Sequence, residues 1–252
     1  MRLSTDGLII KENNVGESDR AVVILTRDKG IIRAFAPGAR RLRNKNSSST
    51  SMLCYSNIVF FKSRDTYKID ESSPIEVFFS LRSDIVKLSV AQYICELCLN
   101  LAPEEDRAED YLRLALNSLH FLTTDKMPYQ QVKVITELRM MALSGYMPNL
   151  VACSKCSLYE SDSMLFDPLH GLLYCDNCNP RDSMTFRVNP TVLTAMRHIV
   201  YSDFNKLYSF KIPDDSLKQL VQISERYLIL QTEHNFKTLD FLHSLEIQGD
   251  AK

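Results

Sequence analysis

From Leu8 to about Ser80 the apolar positions fall in short β-branched and aromatic runs separated by turn residues, a strand pattern rather than a helical one. Leu8-Ile-Ile10 opens and Ala21-Val-Val-Ile-Leu-Thr26 follows. Asp28-Lys-Gly30 then turns the chain into Ile31-Ile-Arg-Ala-Phe-Ala36, which Pro37-Gly38 ends. Ser56-Asn-Ile-Val-Phe-Phe61 and Ile75-Glu-Val-Phe-Phe-Ser80 supply two more strands, with Tyr67-Lys-Ile69 as a further segment between them. Five or six short strands predict a small antiparallel barrel of the oligonucleotide-binding type, an OB-fold.

Beyond Ser83 the period changes. Val86, Val90, Ile94, Leu97 and Leu101 recur at three- and four-residue spacing, and comparable patterns predict helices at 84–101, 106–122, 129–145, 190–202, 214–232 and 237–245. Ser83 is placed to cap the first. Asn189-Pro190 offers a cap followed by a first-turn proline, and Gly145 with Pro148 forms a stop. Residues 150–183 break the helical pattern; they are polar and carry cysteines. The expected fold class is therefore α+β and multi-domain: an N-terminal OB-fold β-barrel over 1–80 and an α-helical domain over 81–252, with an inserted four-cysteine zinc knuckle at 150–183.

Composition narrows the setting. With 252 residues, 45% hydrophobic, the chain is long enough to bury a real core. No window approaches a membrane span, and Met1-Arg-Leu-Ser-Thr-Asp6 has no apolar signal region, so a cytoplasmic protein with no membrane partner is expected. In a reducing compartment seven cysteines read first as metal ligands or core residues. Cys153-x2-Cys156 and Cys175-x2-Cys178, eighteen residues apart, have the spacing of a two-knuckle zinc ribbon, with Met164–Pro168 and Gly171–Tyr174 as the intervening hairpin. Four cysteines would close the coordination shell around one zinc ion, which makes it structural and not catalytic. A redox-active pair of dithiols is the alternative. Deaminase zinc chemistry is excluded because none of the five histidines is followed two residues later by Glu. Cys95-Glu-Leu-Cys98 lies within the helical pattern and reads as core, and Cys54 as a half-buried strand residue.

The net charge of −1 conceals an asymmetry. Between Arg20 and Lys45 the bases Arg20, Arg27, Lys29, Arg33, Arg40, Arg41, Arg43 and Lys45 face the single acid Asp28, whereas Pro103–Asp110 is acidic. The two stretches are expected to meet different partners. The basic stretch suits phosphate neutralisation. Phe35, Tyr55, Phe60, Phe61 and Tyr67 on the same barrel are candidate stacking surfaces, although Phe60 and Phe61 must face opposite sides of one strand. Asn44–Ser51 has no apolar residue and is expected to be mobile.

Several segments carry a family likeness: Thr5-Asp-Gly-Leu-Ile-Ile10, Gly16-Glu-Ser-Asp-Arg20, Leu25-Thr-Arg-Asp-Lys-Gly30, Ala36-Pro-Gly-Ala-Arg-Arg41, the cysteine pairs, Glu225-Arg-Tyr-Leu228 and Lys237-Thr-Leu-Asp-Phe-Leu242. In this order they make the whole chain resemble the RecO family of bacterial recombination mediators. Asp240 departs from the family, standing where a serine or an arginine-containing run is more usual. The resemblance implies a non-enzymatic, nucleoid-associated protein of DNA repair and recombination. Such a protein binds single- and double-stranded DNA, anneals complementary strands, works with RecR, captures the C-terminal tail of the single-strand-binding protein and so helps RecA to load. It carries DNA contacts onto Arg40 and Arg41, and more weakly onto Arg33, Arg43 and Lys45; Arg20, beside Asp19, has a structural ion pair as its alternative role. Arg197 and Lys206 are basic candidates for the tail pocket on the helical part. One rival reading is a zinc-ribbon adaptor for protein interactions in transcription or translation. The other is a hydrolase or transferase, against which stands the absence of a nucleophile elbow, phosphate loop or His/Glu metal motif.

Overall fold

The computed structural model describes residues 2–41, 43–63, 66–180 and 184–250. Five strands form a closed barrel: β1 (Arg2–Val15), β2 (Asp19–Thr26), β3 (Gly30–Ala36), β4 (Cys54–Ser63) and β5 (Thr66–Val77), in the order β1-β2-β3-β5-β4. The β4 strand closes the ring onto β1, and all pairings are antiparallel except the short parallel junction of β3 with β5 at Ala34↔Tyr67 and Phe35↔Lys68. Alternation decides the interior. Ile9, Val22, Ile24, Ile32, Ala34, Ile58, Phe60, Tyr67 and Ile69 fill it, and Cys54, expected to be half-buried, lies wholly inside.

The expected strand at Ile75–Ser80 does not exist as such. Strand β5 runs unbroken from Thr66 to Val77, and Phe79–Ser83 is a 3-10 turn. The polar stretch Asp70–Ser73 stays extended because β4 pairs along it. Asn44–Ser51, expected to be mobile, is a run of turns held by buried side chains. The Asn46 side-chain oxygen accepts from the Ser72 backbone N–H at 3.0 Å, and the Thr50 hydroxyl donates to the Asn46 carbonyl at 2.6 Å. Arg20 explains this order: its guanidinium donates to Ser47 O, Thr50 Oγ1 and Ser51 Oγ and stands 3.6 Å from Glu12.

The chain divides into two compact units. The first comprises residues 1–126 with 236–252 and joins the barrel to α1 (Ile85–Leu101), α2 (Glu109–Thr124) and the returning α6 (Lys237–Asp250). Asp84, not Ser83, caps α1, accepting from the N–H groups of Val86 and Lys87. Along α1, Tyr93 meets Phe236 edge-on at 5.9 Å, and Glu96 accepts from the Thr238 N–H at 3.0 Å. Cys95 and Cys98 are buried in this helix, and burial pushes both thiols up, Cys98 to about 12, so they act as small core groups.

The second unit, 127–235, holds α3 (Tyr129–Leu143), α4 (Pro190–Tyr201) and α5 (Asp214–Thr232). Between α3 and α4 lies a small sheet of β6 (Met164–Asp167), β7 (Leu172–Cys175) and β8 (Phe186–Val188), ordered β7-β6-β8. The predicted hairpin is present, and β8 is an addition whose short run carries no legible strand pattern. Asn189 caps α4 through Val192 N, as its sequence predicts. Helices α3 and α5 are joined by a buried ion triad: Lys133, 2% exposed, lies 2.8 Å from Glu137 and 2.6 Å from Glu225, with the Ser224 hydroxyl donating to Glu137. Removing one member of such a group typically costs about 3–5 kcal/mol, because the remaining charge is left buried. Among the described residues no helix is long and apolar enough to cross a membrane.

Candidate metal centre and nucleic-acid interface

Cys153, Cys156, Cys175 and Cys178 come together with all four Sγ atoms within 4.8 Å of one another. The first pair sits on a tight turn where the Ser157 N–H donates to the Cys153 carbonyl and Ser157 adopts φ +60°. The second follows β7, with Cys175 as its last residue and Cys178 one short turn later. Register binds the two halves: Ser154 N–H donates to Leu173 O at 2.8 Å, and Met164 faces Cys175 across the hairpin. The hairpin turns on Asp167, whose Oδ1 accepts from the N–H groups of Leu169 and His170, and on Gly171 at φ +66°.

The donor set fits a thiophilic cation. Cys156 Sγ and Cys175 Sγ are 3.6 Å apart, too far for a disulfide and close to the ~3.8 Å edge of a tetrahedron with metal–sulfur bonds of about 2.3 Å. Burial raises the Cys153 thiol, but the backbone N–H groups of Cys156, Cys175 and Lys155 outweigh it and hold its pKa at about 6. The thiols of Cys156 and Cys175 push Cys178 up to about 12. One thiolate thus forms readily while Cys178 holds its proton, as expected of like-charged ligands before a cation offsets them.

Arg197, a basic candidate for ligand capture, is committed to this knuckle. Its guanidinium donates to Leu150 O (2.7 Å), Val151 O (2.9 Å) and Tyr159 O (3.0 Å) and lies 4.5 Å from the Tyr159 ring centre. It clamps the loop onto α4. Lys206 is exposed.

On the barrel, the basic and acidic stretches, expected to meet different partners, meet each other. Arg33 pairs with Glu104 at 2.7 Å, Arg27 with Glu109 at 2.9 Å and Lys62 with Glu105 at 3.5 Å, while Ile31 N–H donates to Pro103 O. Gly30 permits the approach: at φ +57°, a Cβ on it would lie 2.0 Å from Pro103 O. Arg27 also holds Asp6 at 2.8 Å, and that hydrogen bond keeps the Asp6 carboxyl below its usual range. Lys45 pairs with Glu71 at 3.0 Å.

Arg40, Arg41 and Arg43 are exposed and form no ion pair among the described residues; the Arg40 guanidinium donates to Gly16 O at 3.0 Å and its backbone N–H to Ser18 O at 2.9 Å. Of the candidate aromatics, Phe60 and Tyr67 pack edge-on in the interior at 5.9 Å, and Tyr55 is hydrogen-bonded to Asp6. Phe61, 46% exposed, faces out, and Phe35 is half-buried on the outer face of β3. Phe61 lines a groove of about 710 Å³ together with Asn44, Lys45, Asn46, Lys68 and Asp70. The polar Asn57, which shares the outward face of β4 with Phe61, was the signal that could have told Phe61 from Phe60.

A five-stranded barrel joined to helices, followed by a helical unit with an inserted four-cysteine knuckle, defines the class of protein. The family model described as Recombination protein O N terminal matches residues 1–78, and that described as Recombination protein O C terminal matches residues 82–240. A relative from Acetivibrio thermocellus named DNA repair protein RecO is 36% identical over 97% of each chain. Relatives of the same name from Alkaliphilus metalliredigens (27% identical, 95% of this chain and 98% of the relative) and Symbiobacterium thermophilum (28%, 96% and 97%) are also similar throughout. The chain belongs to the RecO family of recombination and DNA repair proteins.

Proposed function

We propose that the protein is a cytoplasmic, nucleoid-associated mediator of DNA repair and homologous recombination that acts by binding rather than by catalysis. It binds single- and double-stranded DNA and anneals complementary strands. With RecR and the single-strand-binding protein's tail it promotes RecA loading. Family membership supports the role and the protein partners. The observation that carries the DNA reading is the group Arg40, Arg41 and Arg43: exposed cations beside the barrel with no carboxylate neutralising them among the described residues, in a segment whose other arginines are all paired. Free cations release counterions on meeting phosphate, whereas Arg33 and Lys45 must first leave Glu104 and Glu71. Arg33 and Lys45 are therefore secondary contacts.

Zinc, held by Cys153, Cys156, Cys175 and Cys178, supplies structural cross-linking. The four thiolates complete the shell of one ion, and Arg197 fixes the loop that presents two of them.

A salt titration with single-stranded DNA tests the reading. Replacing Arg40, Arg41 and Arg43 by Ala together should flatten the log–log slope by about two units, while the wild type should accelerate annealing of complementary strands coated with their binding protein. An unaltered slope excludes those arginines. A wild type that ignores polyanions at low ionic strength favours the zinc-ribbon adaptor instead.

A further inference from the structure

We infer that a single row of outward-facing side chains, Arg2–Phe61–Lys68–Phe35, is a platform for unpaired nucleobases that makes the barrel prefer single-stranded over double-stranded nucleic acid. The inference rests on the DNA-binding reading and deepens it. Register sets the row: Arg2 of β1 pairs with Phe61 of β4, Phe61 with Lys68 of β5, and Lys68 with Phe35 of β3. The neighbours of each along its strand fix the direction. Leu3, Phe60, Tyr67, Ile69, Ala34 and Ala36 pack into the interior, so the four row members must face out.

Ring and cation therefore alternate across four strands, over about 14 Å at ordinary strand spacing. Phe61 is not an isolated exposed apolar residue, since it lines the 710 Å³ groove together with Lys45 and Lys68. Lys68 forms no ion pair among the described residues. Asp70, the acid in the groove, is already held by Arg2 at 3.2 Å. Phenyl faces flanked by cations suit a strand that offers bases and phosphates together; a duplex hides the base faces in its own stack and gains only the cations. The unpaired arginines at 40–43 lie in the segment that follows β3, so they serve both forms, and the row adds the discrimination.

The test measures fluorescence anisotropy of the full chain with oligo(dT), with an abasic strand of equal length and with a duplex. Phe61→Leu keeps an apolar side chain and removes the ring. It should lower the ratio of oligo(dT) to duplex affinity about tenfold, and the wild type should bind the abasic strand at least as weakly as Phe61→Leu binds oligo(dT), because the abasic strand also loses Phe35. An unchanged ratio in the variant, or equal wild-type affinity for abasic and base-bearing strands, overturns the platform while leaving the arginine contacts intact. A wild type that binds none of the three overturns the DNA-binding reading itself. The abasic comparison needs no variant, so a folding defect cannot obscure the result.

Discussion

The thiol cluster of the second unit and the cationic segment of the barrel are both drawn from residues close together in sequence, yet only the first is complete within its own segment. Each cysteine pair is a local turn, and the hairpin between them fixes the geometry. The barrel's cations depend on what lies opposite. Glu104 and Glu109, 71 and 82 residues downstream of their partners, neutralise Arg33 and Arg27 and leave Arg40, Arg41 and Arg43 without an ion pair among the described residues. A ligand set is therefore read from spacing, whereas a charged surface is known only after subtracting the carboxylates that folding brings to it.

The zinc proposed at the four cysteines gives the largest expected effect. Chelation, or Cys175→Ser, should cost several kcal/mol and lower the thermal midpoint by about 10 °C, given the roughly 2–4 °C per kcal/mol usual for a chain of this size. An unmoved midpoint after verified metal loss would mean that the knuckle is held by Arg197 and the sheet alone. Arg197→Ala should come next, at about 2–4 kcal/mol, because three backbone carbonyls lose a charged donor. Arg197→Lys should recover little of it, lacking the planar fork; full recovery in a melting experiment would show that charge alone suffices.

Glu104→Gln frees Arg33, so single-stranded DNA should bind more tightly and with a salt slope steeper by about 0.7. A variant that titrates like the wild type would show that Arg33 never reaches phosphate. The smallest effect concerns Asp6, whose carboxyl is held below its ordinary 3.8 chiefly by the Arg27 hydrogen bond. A depressed carboxylate contributes stability that is present above its ordinary value and lost as pH falls through the folded one. The stability advantage of wild type over Asp6→Asn should therefore shrink below about pH 4 in denaturant titrations.

Much of the architecture was legible because alternation and helical period act locally. The hairpin at Asp28–Gly30, the Asn189 cap and the cysteine knuckle each follow from neighbouring residues. What escaped has a common cause in distant pairing. Asp70–Ser73 carries no strand signature and is extended only because β4 holds it. Asn44–Ser51 reads as a flexible polar tract, yet Arg20 and Ser72 tie it down. The turn at 79–83 mimics a strand because Val77-Phe-Phe79 is apolar; Phe78 is buried, whereas Phe79 is exposed. The face of β4 that carries Phe61 became clear only once the register with Arg2 and Lys68 was known.

The first unit is discontinuous: α6 comes from the far end of the chain to cover Tyr93 and engage Glu96 on α1. During synthesis the barrel and its first helices leave the ribosome long before the segment that completes them. Their apolar flank waits, uncovered, while the whole cysteine-bearing unit is translated. Nascent chains arrested just short of Phe236 should therefore be the ones that chaperones hold longest.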